Sequence, residues 1–311
     1  MPATWVLSEP YAGLQAQALG LAESAGLTPE LRTLAPRAPW RFLPAARWPA
    51  PLSAVRDAVR PPLPQLVIGC GGVAAAVGAA LRRPGLAAVQ VQNPRIDPAR
   101  FDLIVANRHD ELTGPNVIVT RTALHRATPQ RLADAALAWQ HRLADLPRPL
   151  VAVLVGGSNG RFRLDAPVAA SLSAQLADMM RRDRVGVAIT PSRRTAPEAV
   201  HALGEALVPL GGWVWDGSGD NPYFGLLALA DAIVVTMDSV SMVSEAAATA
   251  APVLVAPLPG KSRRIKLFLD GLTSDGRIRP FAGRLEMWPV RPLDDTPIAA
   301  AEMRRRLGLD T

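Results

Sequence analysis

Cysteine is almost absent from this chain: Cys70 is the single one in 311 residues. One thiol cannot form an intramolecular disulfide, and the four histidines are scattered, so no Cys/His cluster at metal-ligand spacing exists and no metal is expected. Lysine occurs only at Lys261 and Lys266, so arginine carries nearly all the positive charge. Aromatic residues make up 5% of the chain and are not interleaved with the arginines, which argues against a stacking platform for single-stranded nucleic acid; nucleic acid is not an expected partner. No basic segment precedes Val6-Leu7, so no secretory signal is visible. The longest charge-free stretch, 61–81, contains Pro64, Gln65 and four glycines, and reads as strand plus helix rather than as a membrane span. No internal repeat of the kind that builds solenoids or propellers appears.

What is present points to a folded protein with a basic surface. Hydrophobic residues form 49% of the chain and charged residues 20%, enough apolar content for a sizeable core. The net charge of +7 and sequence pI of about 10.7 fit anionic ligands or an anionic membrane surface. The expected location is the cytoplasm, with docking at the periphery of the inner membrane as the reading the charge adds. The oligomeric state is left open.

Short apolar runs alternate with helical patterns along the chain. Trp5 to Leu7 is a first strand, followed by a helix over Leu14 to Ala25 with apolar residues at helical spacing. Residues 27–64 are rich in Pro, Arg and Trp; a strand near Leu31 to Leu34 and a helix near Leu52 to Val59 are expected there. Strands follow at Leu66 to Ile68, Ala88 to Val91, Leu103 to Val105 and Asn116 to Val119, with helices over Val73 to Leu81 and Pro129 to Leu143. Pro147-Arg148-Pro149 reads as a linker. The alternation restarts with the strand Leu150 to Val155. It continues through the helix Val168 to Met180, the strand Val185 to Ile189, the helix Pro197 to Leu207, a strand at Gly212 to Trp215 and a helix from Asp220 to Ala230. Lys261 to Arg264 is a polar basic stretch, and Pro297 to Leu307 a final amphipathic helix. Two such runs predict two doubly wound α/β domains, 1–147 and 148–311, with the helix 297–307 placed to cross back to the first.

The most organised stretch lies in the second run. Ile233 to Val235 is a strand, Met237 to Ser241 supplies capping side chains, Ser241 to Ala250 favours helix, and Val253 to Val255 is the next strand. In open α/β sheets ligands sit beyond the carboxyl ends of the strands, and a helix start suits an anion. Ser241 and Glu245, four apart, share one side of the helix; a well-capped loop with a solvated Glu245 is the plainer alternative.

Other candidates carry less. Gly69 to Ala74 matches a relaxed GxGxxA, but the next strand ends in Gln92-Asn93 without the acid a dinucleotide site needs, so a tight turn is the favoured reading over NAD. Gly156-Gly157-Ser158-Asn159-Gly160 follows a strand without the Lys and Ser/Thr of a P-loop. Its glycines either admit a phosphate or sugar, or serve a turn with positive φ. His109-Asp110 could act as a base or could be loop polarity. Arg193-Arg194 could clamp a diphosphate or form a solvated turn.

Taken together, several motifs resemble bacterial members of the mitochondrial-fission (elongated mitochondria) protein family. They are Trp5-Val-Leu-Ser8 with Gly13, Gln17-Ala-Leu-Gly-Leu-Ala22, Gln92-Asn-Pro-Arg95, Phe101-Asp102 with His109-Asp110, Gly114-Pro-Asn-Val117, Gly156-Gly157, Ser192-Arg-Arg-Thr195, Asn221-Pro-Tyr223, and Asp238-Ser-Val-Ser-Met242 with Ser244-Glu-Ala246. The resemblance covers most of the chain. It implies two Rossmann-like domains facing a cleft, similar to GT-B glycosyltransferases, with a nucleoside-diphosphate sugar as donor substrate held mainly by the second domain and no cofactor required. It places Glu245 on the ribose, Asn221 and Tyr223 near the base, and Gly156, Gly157, Ser158, Asn159, Arg193, Ser239, Ser241 and Met242 near the diphosphate and sugar. Asp238 falls in the same loop, where a carboxylate beside a diphosphate is costly. His109 or Asp110 would be the base. The first loop departs from the family pattern, which is closer to Asp-Gly-Lys-Ala-Gly-His; here it is Glu9-Pro10-Tyr11-Ala12-Gly13-Leu14, without the histidine. The activity implied is sugar transfer to an acceptor, with a cell-envelope molecule as the acceptor class. A GT-B-like binding protein without catalysis is the alternative, and an NAD-dependent epimerase or dehydrogenase a further one.

Overall fold

A computed structural model describes residues 2–309 and divides into two compact units, residues 1–126 with 295–311, and residues 127–294. Each unit carries its own six-stranded, all-parallel sheet.

In the first unit the strands are β1 (Thr4–Ser8), β2 (Glu30–Thr33), β3 (Leu66–Cys70), β4 (Ala87–Val91), β5 (Leu103–Asn107) and β6 (Val117–Thr120), in the order β2-β1-β3-β4-β5-β6. The inner strands β1, β3, β4 and β5 read as largely apolar runs because both faces are covered, whereas the edge strand β2 is polar and exposed. Trp5, Leu7, Val67, Ala88 and Ile104 face one core, Val6, Ile68, Val89 and Val105 the other. The first face is covered by α2 (Pro51–Ala54) and α3 (Gly72–Leu81), the second by α1 (Ala12–Ser24) and the terminal helix Thr296–Leu307. The expected helix over 52–59 is only the four residues of α2; Val55 leaves helical geometry at φ −133°, and turns follow.

The second unit begins with α4 (Pro129–Trp139), earlier than the 147–149 boundary expected from the alternation. The reason lies in side-chain packing. Trp139 and Leu143 join the core of the second sheet, and Gly225 admits the Trp139 ring so closely that a Cβ there would lie 2.4 Å from its Cγ. Residues 147–149 are built into the same unit: Gly186 N–H donates to the Pro149 carbonyl (3.0 Å), and Arg148 donates to the Leu229 carbonyl (2.7 Å) and to Asp231 (3.0 Å). The sheet has β7 (Leu150–Val155), β8 (Gly186–Pro191), β9 (Trp213–Val214), β10 (Ala232–Thr236), β11 (Val253–Ala256) and β12 (Ile278–Pro280), ordered β12-β11-β10-β7-β8-β9. Its helices are α5 (Ala166–Asp183), α6 (Pro197–Leu207), α7 (Tyr223–Leu229), α8 (Val240–Ala247) and α9 (Arg263–Ser274).

Two elements differ from the sequence expectation. The basic stretch at 261–264 is the start of α9: Ser262 Oγ caps Ile265 N–H (3.4 Å), and Ile265, Phe268 and Leu272 form its buried stripe. α8 stops at Ala247 rather than running to Ala250. Buried Arg277 donates to the carbonyls of Ala246 (3.1 Å), Ala247 (2.9 Å), Thr249 (2.8 Å) and Ala251 (3.0 Å), collecting the orphan acceptors of the helix end. Burial lowers the Arg277 guanidinium to about 10, which leaves it charged at neutral pH.

The terminal helix, α10 (Thr296–Leu307), is fastened into the first unit at its start. The buried Asp295 carboxylate accepts from the Arg121 backbone N–H (2.5 Å) and its guanidinium (2.5 Å), and Thr296 Oγ1 accepts from His125 N–H (3.2 Å). Burial alone would raise the Asp295 carboxyl; its bonds to Arg121 outweigh that and hold it below the usual carboxylate range. A depressed native carboxyl contributes stability above the unfolded pKa and loses it as pH falls through the native value. Asp295→Asn should therefore destabilise the chain by about 1–2 kcal/mol at pH 7 and by progressively less in acid. Denaturant melts at neutral and acidic pH check this; an equal deficit at both would remove the charge from the account.

Candidate functional site

A parallel sheet offers its ligand end where the strand order reverses. In the second unit this is between β7 and β10, whose following loops meet around Asp238. The Asp238 side chain is 0% exposed. It accepts from Gly157 N–H (3.1 Å), Thr236 Oγ1 (2.7 Å) and Arg194 (3.0 Å). Thr236 Oγ1 in turn accepts from Gly156 N–H (2.8 Å), and Thr195 Oγ1 donates to the Gly156 carbonyl (2.5 Å). Three loops are thus stapled at one carboxylate, which is turned inward and countered by Arg194. The charge that looked costly beside a diphosphate is satisfied within the protein.

The two glycines serve this close approach. A Cβ on Gly156 would lie 2.2 Å from Asp238 Oδ1, and one on Gly157 2.1 Å from the Arg194 carbonyl oxygen. Neither has positive φ, so the turn-conformation reading is replaced by one of space. Beyond them the loop is internally braced. Ser158 Oγ accepts from Leu164 N–H (2.9 Å), and Asn159 Oδ1 from the N–H groups of Arg161 and Phe162 (2.9 and 3.0 Å). Arg163 N–H donates to the Pro259 carbonyl (2.9 Å), and Gly260, at φ +145°, pairs with Phe162. Ser158 and Asn159 therefore have structural work, and the N–H groups of Gly156, Gly157 and Asn159 are already taken within the protein.

Around this staple stand the other predicted residues. Ser239 Oγ caps α8 at Met242 N–H (3.3 Å), leaving a helix start at the strand end. Ser241 and Met242 are half-buried on its first turn. Arg193 is exposed and has no carboxylate partner among the described residues, as is true of Lys261 beyond β11. Asn221 Oδ1 accepts from the N–H of Tyr223, the first residue of α7 (2.9 Å).

Glu245 departs most from expectation. It is 6% exposed, and its Oε2 accepts a short hydrogen bond from the Tyr223 hydroxyl. Its Oε1 accepts no hydrogen bond among the described residues. Burial, offset only in part by the Tyr223 bond, raises the Glu245 carboxyl to about 7; burial and the neighbouring carboxylate push the Tyr223 hydroxyl well above its usual value. Glu245 is a group near half-ionisation at neutral pH, not a plainly solvated acid.

In the first unit the His109 side chain is 1% and the Asp110 side chain 4% exposed, with His109 Nε2 3.8 Å from Asp110 Oδ1. Neither is presented to solvent. The reversal point here lies between β1 and β3, and Glu9 occupies it: the Val73 N–H at the start of α3 donates to the Glu9 carboxylate, which burial raises. Gly71, at φ +99°, is tight against Glu9. A carboxylate thus stands where a dinucleotide's pyrophosphate would meet the glycine turn. Thr236 and Gly260 were not singled out as site residues from sequence, Glu9 and Lys261 entered only as parts of the first loop and the basic stretch, and Arg194, read with Arg193 as a diphosphate clamp or a solvated turn, is bonded to Asp238. No group of three or more His, Cys, Asp or Glu side chains able to hold a metal occurs among the described residues, and none of their helices is long and apolar enough to cross a membrane.

Two all-parallel, doubly wound units of this kind define the GT-B fold, and solved structures share it. The glycosyltransferase SnogD from Streptomyces nogalater matches with TM-score 0.52 at 17% identity, over 98% of this chain and 94% of that one. UDP-GlcNAc 2-epimerase from Neisseria meningitidis, bound to UDP-GlcNAc, matches with TM-score 0.55 at 13% identity, over 98% and 91%. Residues 12–307 match the family described as Mitochondrial fission ELM1, and the chain belongs to that family. A relative, Mitochondrial fission protein ELM1 of Arabidopsis thaliana, is 33% identical over 275 residues, which is 79% of this chain and 64% of that protein's length.

Proposed function

We propose that the second unit binds a nucleoside-diphosphate sugar across the ends of β7, β8 and β10, and that the protein is a GT-B-type glycosyltransferase. The observation that carries this reading is the Tyr223–Glu245 pair beside the capped start of α8. Tyr223 fixes one carboxylate oxygen and leaves Oε1 as an acceptor for a ribose hydroxyl. The α8 N-terminus and the unpaired Arg193 supply positive potential for a diphosphate. Two structures of similar fold support a nucleotide-sugar ligand, since one is an epimerase bound to UDP-GlcNAc and another a glycosyltransferase.

A thermal-shift panel of UDP-, GDP-, CMP- and ADP-sugars against NAD(P) tests the ligand class. One nucleotide sugar should raise the melting temperature and NAD(P) should not. Calorimetric titration of that sugar into Glu245→Ala should show binding about ten- to a hundredfold weaker, the loss expected for a hydrogen bond to a charged acceptor. Equal affinity in the variant would remove Glu245 from the site. The enclosure of His109 and Asp110 favours a second reading: a nucleotide-sugar-binding protein without transfer. Binding without any turnover of the bound sugar would select it. Glu9 at the glycine turn weighs against a dinucleotide in the first unit.

A further inference from the structure

We propose that the segment 36–49 of the first unit is a membrane-docking tip, with Phe42 and Leu43 entering the headgroup region of an anionic bilayer and Arg41 and Arg47 binding its lipid phosphates. Phe42 is 71% and Leu43 50% exposed, adjacent large apolar side chains that belong to no core of the unit. Their exposure does not come from a loose loop. Pro36, Pro39, Pro44 and Pro49 restrict the backbone, and two single 3₁₀ turns, Trp40–Phe42 and Ala45–Arg47, flank the apex. Trp40 and Trp48 pack edge to face at 6.1 Å, Trp48 is buried, and its Nε1 donates to the Leu43 carbonyl (3.1 Å). Arg37 N–H donates to the Ala54 carbonyl (3.1 Å), closing the base of the loop against α2. The backbone under Leu43 is held while its side chain is left outside.

Charge selects the partner. Residues 35–64 hold five arginines and one acid, Asp57. Asp57 is taken by ion pairs to Arg37 and Arg60. Arg41, stacked on the Phe42 ring at 4.7 Å, and Arg47 have no carboxylate partner among the described residues. Exposed apolar side chains flanked by two arginines without a carboxylate partner match the interface of an anionic bilayer, where apolar insertion and lipid charge act together. A pre-formed tip also loses little entropy on docking.

The experiment is co-sedimentation of the full chain with vesicles of phosphatidylcholine alone, or of equal parts phosphatidylcholine and phosphatidylglycerol, at low and high salt. The parent should pellet with the anionic vesicles only, and less at high salt. Each of Arg41→Ala and Arg47→Ala should weaken binding about fivefold, since one basic residue at such a surface contributes about that factor. Phe42→Ser with Leu43→Ser should weaken it at least about tenfold while lowering the melting temperature only slightly, because Phe42 is largely and Leu43 half exposed. Cys70 is buried, so Leu43→Cys can be labelled alone with an environment-sensitive dye, which should shift to the blue on anionic vesicles. Failure of the parent to bind anionic vesicles overturns the proposal and leaves an acidic protein groove as the better partner. Binding by the parent that none of these variants weakens, or a dye that stays in water, overturns it in favour of another basic surface.

Discussion

Asp238→Ala should be among the most destabilising single substitutions in the second unit, costing about 3 kcal/mol. The change removes one acceptor and strands three donors: Gly157 N–H, the Thr236 hydroxyl and the Arg194 guanidinium. Unsatisfied buried donors cost about 1–3 kcal/mol each, moderated here because the Arg194 side chain, 45% exposed, can turn to water. For a unit of this size the loss corresponds to a melting temperature lower by about 6–12 °C. Asp238→Asn keeps one acceptor oxygen but puts an NH₂ against one of the donors, and should lose about half as much. Gly156→Ala tests the same staple from the other side, because its methyl would lie 2.2 Å from Asp238 Oδ1. Denaturant unfolding of the three variants is the measurement. If Asp238→Ala unfolds at the parent's midpoint, the carboxylate is not the staple, and its earlier assignment beside a diphosphate returns.

That staple also marks where sequence reading stops. The strands were legible because β3, β7 and β10 are buried on both faces and so appear as unbroken apolar runs. The loops that follow them were legible as ligand ends for the same topological reason. The job of Asp238 was not, since its partners Gly157 and Arg194 lie 81 and 44 residues away and only folding brings them together. Membership of α4 was hidden likewise: a helix after β6 reads as part of the first run, and the glycine that accepts Trp139 is in α7. α9 could have been found, because Ser262 followed by Ile265, Phe268 and Leu272 is a cap and a buried stripe in plain sequence; the basic residues around its start masked it. His109 and Asp110 carried the residue types of a base but sit enclosed, which no spacing rule reports. The site residues that the sequence picked out in the second unit do gather at one sheet end, yet several of them brace loops there.

Glu245→Gln should stabilise the protein by about 3 kcal/mol at pH 8.5 and change it little below pH 4.5, the reverse of what removing a functional acid from a surface would do. The folded carboxyl is raised to about 7, while in the unfolded chain it returns to its ordinary value of 4.5. Below the lower value both states are protonated and burial carries no ionic penalty. Between the two, the unfolded chain ionises while the folded one resists, so native stability falls as pH rises; above the upper value the loss is complete. A separation of this size corresponds to about 3 kcal/mol at 1.36 kcal/mol per pH unit. Gln cannot ionise, keeps an oxygen for the Tyr223 hydroxyl, and so escapes the loss. Tyr223→Phe should move the other way, deepening the alkaline loss by removing the one hydrogen bond that favours the ionised form. Unfolding free energies of the parent and both variants across pH 4–9 decide it. Parallel pH curves for the parent and Glu245→Gln would mean the carboxylate is already hydrated in the native state. The binding consequence can be read from the same variants: if the ribose needs the ionised acceptor, nucleotide-sugar affinity in the parent should rise through pH 7, and in Glu245→Gln it should be weak and flat.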